Sequence, residues 1–349
     1  MEKKHIPAKD CLEGWILAQP IFNEYGTVIV MENTTINSYI KSRLMEFGVE
    51  RIWVYAPDGR KSHQDESSTY EQFQNKYKSN VMAIKDVIND LAAGKKLEME
   101  KISDVSNSLY SELNNTGYVT RCLNEIKDSD EYTYSHCINV ALYTMLAAKW
   151  LKLSEQEIKE AIHAGLLHDI GKSKVPLDIL NKPSRLSSEE FEEIKKHTVY
   201  GYEIVKSIDH ISENVRQAVL MHHEREDNTG YPTGAKGGEI NIYSKIVAVT
   251  DVFDAMTSDR VYKKRATPFE AFEMFHSEGL TSFDTRVSLT FLSNLSVNYI
   301  GAKVMLNTGE SGEVAYIPPH NITKPVVSLK SKYIDMSKEK SIKIESIIK

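Results

Sequence analysis

The chain has 349 residues, 41% of them hydrophobic and 26% charged, which is the composition of an ordinary globular protein with room for two or three domains. Its formal net charge of -6 argues against general binding to nucleic-acid polymers or anionic membranes, so an anionic ligand must be met by local bases or metals. The three cysteines are scattered, and neither a signal-like nor a membrane-length apolar run is present. These features predict a cytoplasmic protein without disulfides or a membrane span.

Residues 1–64 are predicted to form a small α/β unit with an accessory or regulatory role. Short apolar runs at residues 21–22 and 27–31 flank a turn sequence, Asn23 to Gly26, as in a β-hairpin. A helix is predicted over residues 36–47 and a strand over residues 49–55. We find no set of residues in this unit that points to a particular chemistry.

A helical connector is predicted for residues 65–102. Residues 60–69 are polar, as in a linker, and apolar or aromatic residues then recur at helical spacing from Tyr70 to Leu91. Such a stripe is typical of packing or of a dimer surface, and much less often of a cofactor site. A homodimer through this connector therefore stays open as one interpretation.

A single all-α domain is predicted over residues 103–298. Apolar helical patterns follow one another through this region, and Ser154 with Glu157 forms the sequence of a capping box at the start of one helix. Residues 299–349 change character, because short apolar runs are separated by Gly, Pro and Asn. The predicted fold class is mainly α, with a helical domain flanked by a small N-terminal α/β unit and a small C-terminal β appendage.

The segment from Ala161 to Lys172, AIHAGLLHDIGK, is the one around which the chain is organised. An apolar helix ends at the adjacent pair His168 and Asp169, and an imidazole beside a carboxylate offers two good ligands for a first-row divalent metal. The alternative is an ordinary helix C-terminus, with Gly171 as the C-cap and Lys172 favouring the helix dipole.

Further histidines and one aspartate lie in apolar settings of the same domain: His136, His197, His222, His223 and Asp251. Each by itself is more often a hydrogen-bonded core residue than a ligand. Together with His168 and Asp169 they are enough to hold two metals, and Asp169 is the best candidate for a bridge between them. Two metals that share a carboxylate and a hydroxide suit a phosphoester hydrolase. Mixed imidazole and carboxylate ligands without thiolate suit iron, manganese, nickel or zinc more than magnesium or calcium.

The loop after His223 and a basic cluster further along the chain indicate an anionic, planar substrate. Gly230 permits a positive φ, Pro232 restricts Tyr231 to an extended conformation, and a tyrosine held on such a loop can stack on a base. The local run of bases from Arg260 to Arg265 is suited to phosphate. The alternatives are a plain surface loop and a solvated charged face.

Four ordered motifs, HDIGK (168–172), KKHTVYGYEI (195–204), HHEREDNTGYP (222–232) and VAVTDVFDAMTSDRVY (247–262), resemble the HD-GYP domain. The resemblance covers residues 103–298. It implies a metal-dependent phosphohydrolase of the HD superfamily that hydrolyses cyclic diguanylate (cyclic di-GMP) to pGpG, GMP or both in bacterial signal transduction. One departure is Asn228, which stands where the family usually has glycine, and Asn tolerates the left-handed backbone nearly as well as any other non-glycine residue.

Carried over residue by residue, the resemblance implies a role for each matching position. Lys172 is expected near the scissile phosphate and, with Asp169, in the catalytic machinery. Gly230 and Tyr231 are expected at a guanine. Substrate phosphates are expected at Arg260 and Lys263. The implied metal ligands are His136, His168, Asp169, His197, His222, His223 and Asp251.

Two other functions and the number of metals stay open. One alternative is a non-catalytic cyclic-dinucleotide receptor. The intact set of ligands argues against it, because a receptor need not keep the full set. The other is an HD phosphohydrolase that acts on another cyclic dinucleotide or nucleotide. Some family members have glutamate at the position of Tyr132 and hold a third metal, but a neutral phenol is a poor ligand near pH 7. Two metals are therefore predicted, with Glu131 as the nearest carboxylate to replace that glutamate.

Overall fold

The structure is a computed structural model that describes residues 3–56, 63–114, 119–120, 122–123, 132–259, 265–330 and 332–348. Contacts divide the chain into two compact units. The first comprises Met1–Tyr70, Ala266–Glu273 and Leu292–Lys349, and the second comprises Glu71–Arg265 and Met274–Phe291.

Helices account for most of the regular structure. The α-helices are α1 (Ser38–Glu46), α2 (His63–Ala92), α3 (Met99–Tyr110), α4 (Tyr132–Trp150), α5 (Glu155–Leu167), α6 (Leu177–Leu180), α7 (Ser188–Lys195), α8 (His197–Lys206), α9 (Glu213–Met221), α10 (Ile242–Thr257), α11 (Pro268–Ser277), α12 (Gly279–Ser282) and α13 (Thr285–Ser296). Short 3₁₀ turns are Ala8–Asp10, Ile170–Lys174, Gly237–Glu239 and Val297–Tyr299.

The strands lie near the two ends of the chain. They are β1 (Lys3–Pro7), β2 (Ile16–Leu17), β3 (Ile21–Phe22), β4 (Val28–Val30), β5 (Arg51–Tyr55), β6 (Lys303–Leu306), β7 (Ser311–Tyr316), β8 (Val326–Ser328), β9 (Tyr333–Asp335) and β10 (Ile344–Ile347). The sheets have the strand orders β1-β5-β2, β3-β4 and β10-β6-β7-β8-β9. All of the neighbouring strands pair antiparallel. The mainly α fold class with these small flanking parts is confirmed.

In the first unit, the segments from the two ends of the chain share one hydrophobic core. Tyr316 and Val326 of the C-terminal sheet join the cluster formed by Leu17, Ile40 and other N-terminal residues. Asn37 links the two segments as well, because its Oδ1 accepts from the N–H of Ile40 at the start of α1 while its Nδ2 donates to the carbonyl of residue 315 at 2.8 Å. The sequence predicted two separate small parts, and the structure packs them together so that each covers apolar surface of the other.

The second unit is built around α4, whose side chains from His136 to Ala148 are all buried. A helix that is apolar on every side must be covered on every side, and α4 packs against α5 and α10. The contact with α5 is close, because a Cβ at Gly165 would lie 2.7 Å from the Cα of Ala141. The capping box predicted at Ser154 is present at the start of α5, with Glu157 bonded back to it.

One sequence prediction about the connector changes in the structure and another is supported. The predicted linker at residues 60–69 is helical from His63 onward, so α2 begins before the apolar stripe. The stripe itself is buried within the chain, as shown by Phe73, Tyr77 and Ile84, with exposures of 4%, 4% and 2%. This burial supports the packing interpretation for these side chains. Among the described residues, no helix has both the length and the apolarity needed to cross a membrane.

Candidate metal centre

The central segment places His168 and Asp169 at the buried C-terminal end of α5, where His168 is the C-cap residue. Gly171 lies in the following 3₁₀ turn and does not act as the C-cap that the alternative interpretation assigned to it. It is needed for space, because a Cβ there would lie 1.9 Å from the carbonyl oxygen of His197 and 2.4 Å from the nitrogen of Gly201. The small residue therefore lets α8 approach the His-Asp pair.

Three of the histidines are oriented in the same way by the helix that precedes each of them. Their Nδ1 atoms lie 2.7 to 2.9 Å from backbone carbonyls three residues earlier, in the pairs His168–Gly165, His197–Ile194 and His222–Val219. A carbonyl only accepts, so Nδ1 carries the proton and donates. In the neutral ring this leaves the Nε2 lone pair available, which is the arrangement found in metal-binding histidines.

Asp169 lies between two groups of potential ligands. Its Oδ1 is 3.4 Å from His197 Nε2 and 4.0 Å from His222 Nε2, whereas its Oδ2 is 3.3 Å from His168 Nε2 and 3.8 Å from His136 Nε2. One group consists of Asp169, His197, His222 and His223, and the other consists of His136, His168 and Asp251. Within each group, the potential ligand atoms lie within 4.8 Å of one another. Because its two oxygens face different groups, Asp169 is suited to bridge two ions.

The donor atoms fit a bound cation. His197 Nε2 and His222 Nε2 are 3.2 Å apart. Both rings already donate through Nδ1, so the two Nε2 atoms point their lone pairs at each other. His168 Nε2 is buried and has no hydrogen-bond partner among the described residues. Buried polar atoms are almost always paired. One cation between His197 and His222 and a second one beside His168 would satisfy these nitrogens.

Burial and neighbouring charges keep most of these imidazoles neutral and the Asp169 carboxylate ionised, which are the forms that bind a metal. Burial lowers the pKa of His197 and His222, and it lowers the pKa of His223 to about 3. These rings are therefore neutral at pH 7. Burial alone would raise the pKa of Asp169, but Lys172, whose Nζ is 2.6 Å from Oδ2, and the nearby imidazoles hold the pKa well below its usual range.

His136 differs from the other histidines. Burial lowers its pKa, but hydrogen bonds with Asp251 and Asp254 outweigh that effect and raise the pKa to about 9. Its Nε2 lies 3.1 Å from Asp251 Oδ1 and its Nδ1 lies 2.8 Å from Asp254 Oδ2. Asp254 is fully buried on α10, and the sequence analysis missed it. The available signal was its position three residues after Asp251, on the same face of a strongly apolar helix.

The loop after α9 is held by Glu224, a second residue that the sequence analysis missed. Its buried carboxylate accepts from the N–H and hydroxyl of Thr233, at 2.7 and 2.8 Å. Tyr231 packs its ring on His223, with centroids 4.7 Å apart and planes at 28°. Gly230 does not adopt a positive φ, which corrects the expectation; a Cβ there would lie 2.4 Å from Glu224 Cα, so close approach requires the glycine.

Some predicted positions lie outside the described residues. These are Arg260 and Lys263, expected on substrate phosphates, and Glu131, considered for a third metal. Tyr132 is the first residue of α4, but the placement of its side chain is not described. Asn228 is described and adopts φ 64°, the left-handed conformation that its place in the loop predicted.

Comparison with known proteins gives relatives for the region that contains these residues. Residues 120–287 match the family model described as HD domain. The chain is 35% identical over 232 residues to a cyclic di-GMP phosphodiesterase of Pseudomonas aeruginosa, an alignment that covers 66% of this chain and 56% of the relative. It is 38% identical over 132 residues to a 3'3'-cGAMP-specific phosphodiesterase of Vibrio cholerae, covering 38% of this chain and 28% of the relative.

A solved structure supports the fold over a longer stretch. The structure described as Bd1817, an HDG"Y"P protein from Bdellovibrio bacteriovorus, superposes with a TM-score of 0.51 at 14% identity and covers 84% of this chain and 99% of that one.

The helical bundle with the His-Asp pair at its centre lies within the residues that match the HD domain. The chain contains an HD domain, and the predicted resemblance to the HD-GYP proteins is confirmed. It spans about half the length, or less, of the two curated relatives.

Proposed function

We propose that the chain is a metal-dependent phosphodiesterase that hydrolyses cyclic di-GMP to pGpG, GMP or both. The observation that carries this proposal is the position of Asp169, with one carboxylate oxygen toward each ligand group. The names of the relatives support the substrate class, and the two groups of ligands support a dinuclear centre.

We propose that two divalent metals, iron or manganese, are held by His136, His168, Asp169, His197, His222, His223 and Asp251. When bound, such a pair supplies Lewis acidity and lowers the pKa of a shared water. Iron and manganese are favoured because imidazole and carboxylate groups make up the ligand set and thiolate does not. Nickel and zinc accept the same ligands and are the alternatives.

The residues around the centre are proposed to bind and orient the substrate. Lys172 directs its ammonium group into the centre beside Asp169, where it is suited to hold an oxygen of the scissile phosphate. Tyr231 and Gly230 lie at the rim and are proposed to contact a guanine, while Arg260 and Lys263 are proposed to bind the phosphates. Lys195 Nζ, 5.5 Å from the ring centroid of Tyr231, adds a positive charge at this rim.

The second candidate is hydrolysis of a mixed guanine-adenine cyclic dinucleotide. One relative carries the name of a 3'3'-cGAMP-specific phosphodiesterase at 38% identity, which is the reason to include this substrate. A non-catalytic receptor is a weaker candidate, because all seven proposed ligands are present and converge on the two groups.

Three further parts of the proposal concern the setting. We propose that the protein acts in the cytoplasm, which suits its three free cysteines. We propose that residues 1–64 serve as an accessory or regulatory part, joined by the connector at 65–102 to the catalytic part at 103–298 and followed by the appendage at 299–349. A homodimer through the connector is proposed to use its remaining exposed side chains, such as Met82, which is 63% exposed.

The test is an assay of the purified protein, loaded anaerobically with iron or manganese, against cyclic di-GMP, 3'3'-cGAMP and linear pGpG. We expect turnover of cyclic di-GMP with pGpG or GMP as the product. Faster turnover of 3'3'-cGAMP would select the second candidate. Tight binding of cyclic di-GMP without turnover in the metal-loaded protein would select the receptor.

A further inference from the structure

A chain of buried, hydrogen-bonded side chains runs from the connector helix α2 to His136. The phenol of Tyr77 on α2 donates to Asn139 Oδ1 at 2.7 Å. Asn139 Nδ2 donates to Asp254 Oδ1 at 3.1 Å, and Asp254 Oδ2 accepts from His136 Nδ1 at 2.8 Å. All four residues are at most 5% exposed.

The direction of this chain is fixed at every step. A carboxylate accepts hydrogen bonds. Asp254 accepts from the amide nitrogen of Asn139 and the hydroxyl of Ser258 at Oδ1, and from Nδ1 of His136 at Oδ2. The amide oxygen of Asn139 then faces α2, where the phenol of Tyr77 can donate to it. Burial raises the pKa of Tyr77, so the phenol keeps the proton that it donates.

The consequence at His136 is a defined ring orientation. With Nδ1 protonated and bonded to Asp254, Nε2 is the atom that faces Asp169 and Asp251. Hydrogen bonds of this kind fix the tautomer and direction of a metal-binding histidine, and their loss typically weakens metal binding about ten- to a hundredfold. In His168, His197 and His222, the ring orientation is fixed instead by a backbone carbonyl three residues earlier, which accepts from Nδ1.

We propose that Tyr77 and Asn139 are positioning residues for the metal centre, acting through Asp254 on His136. The inference rests on the proposed metal site and names a contribution to it from outside the HD motifs. Without the phenol, the amide of Asn139 loses the partner that holds its oxygen away from Asp254. The Asp254 carboxylate then keeps only the Ser258 hydroxyl as a reliable donor to Oδ1, so it holds the His136 ring less firmly. The group formed by His136, His168 and Asp251 then binds its ion less well.

The test compares stepwise metal affinities, measured for the full chain by competition with a chromophoric chelator for Mn²⁺. For Tyr77→Phe we expect one of the two binding steps to weaken about tenfold or more, with the other within about threefold of wild type. Asn139→Leu should weaken the same step. The double variant should be no worse than Asn139→Leu alone, because both changes break one chain.

The matched control is Tyr243→Phe, which removes the hydrogen bond of another buried phenol, the one to Glu160 Oε2 at 3.3 Å. It should leave both binding steps unchanged. Unchanged affinities in Tyr77→Phe and Asn139→Leu, or equal weakening of both steps in parallel with a loss of thermal stability, would overturn the inference.

If the wild-type protein binds two ions but hydrolyses no cyclic dinucleotide, the proposed activity fails while these affinities still decide the role of Tyr77. If the wild-type protein binds no metal, both proposals fail.

Discussion

Asp169 is the residue on which the proposed chemistry depends most. Its two carboxylate oxygens face different imidazole groups, and Lys172 balances part of the charge. A single buried carboxylate in this position can serve two ions at once, whereas a neutral imidazole has only one free lone pair. The sequence signal for this role was the adjacency of His168 and Asp169.

We expect Asp169→Ala to abolish hydrolysis while the protein stays folded. Removal of the bridge takes away a ligand of both ions, and that loss should cost several kcal/mol of transition-state stabilisation. The measurement is turnover and metal content, with Asp178→Ala, a change at an exposed aspartate, as the control. Retention of about a tenth of wild-type turnover in the metal-loaded variant would contradict the bridging role.

Arg260 is expected to act on the substrate rather than on the metals. Arg260→Ala should raise KM or lower kcat for cyclic di-GMP without reducing metal content, because a guanidinium binds phosphate oxygens and is not a metal ligand. Steady-state kinetics and elemental analysis of the same preparation measure both effects. The exposed Arg185→Ala serves as the control. Unchanged kinetics in Arg260→Ala would indicate that the basic cluster from Arg260 to Arg265 is a solvated charged face and not a phosphate-binding site.

At the scale of elements, the centre depends on how closely helices approach one another. Gly171 allows the backbone of α8 to pass the turn after the His-Asp pair, and Gly165 allows α4 to contact α5. Both glycines lie where helices that carry proposed ligands meet, so we expect a side chain at either position to move a proposed ligand.

We expect Gly171→Ala to lower the free energy of unfolding by about 1–3 kcal/mol, the usual cost of overpacking. The added methyl group would press on the carbonyl of His197, so metal content should fall as well. Chemical denaturation and elemental analysis measure the two effects. Gly238→Ala is the matched control, since nothing lies within 4 Å of a Cβ at that position. Equal stability and metal content in the two variants would contradict the packing argument.

Substitutions at Asn228 test whether the loop that carries Tyr231 needs a left-handed backbone conformation at this position. At φ 64°, Asn228→Ala should lower the free energy of unfolding by about 1 kcal/mol, whereas Asn228→Gly should preserve or raise it. Urea unfolding measures the difference. Asn181→Ala, at φ −100°, provides the control for loss of an asparagine side chain alone. A stabilising effect of Asn228→Ala would show that the loop does not need the left-handed conformation.

At the scale of the whole molecule, local features were predictable from the sequence and long-range contacts were not. The capping box at Ser154 and the helices that carry the histidines follow from spacing over a few residues. The core shared by the N-terminal and C-terminal segments depends on the pairing of surfaces about 300 positions apart, which no local pattern specifies. Predicting it would have required knowledge of the tertiary fold.

The same distinction applies inside the centre. The proposed ligands could be picked out in the sequence because imidazoles and carboxylates in apolar helices are unusual. Asp254 and Asn139 were missed because each is unremarkable until its neighbour is known, and Tyr77 looked like one more aromatic residue of a packing stripe. Gly230 was assigned for its freedom in φ, whereas the structure needs it for close approach of the loop to Glu224.

The most direct test of the account is turnover of cyclic di-GMP by metal-free protein as Mn²⁺ or Fe²⁺ is added under anaerobic conditions. We expect negligible turnover without metal and a maximum at two ions per chain, with pGpG or GMP as the product. A maximum reached at one or at three ions per chain would contradict the dinuclear centre bridged by Asp169. No turnover at any metal loading would contradict the proposed activity itself.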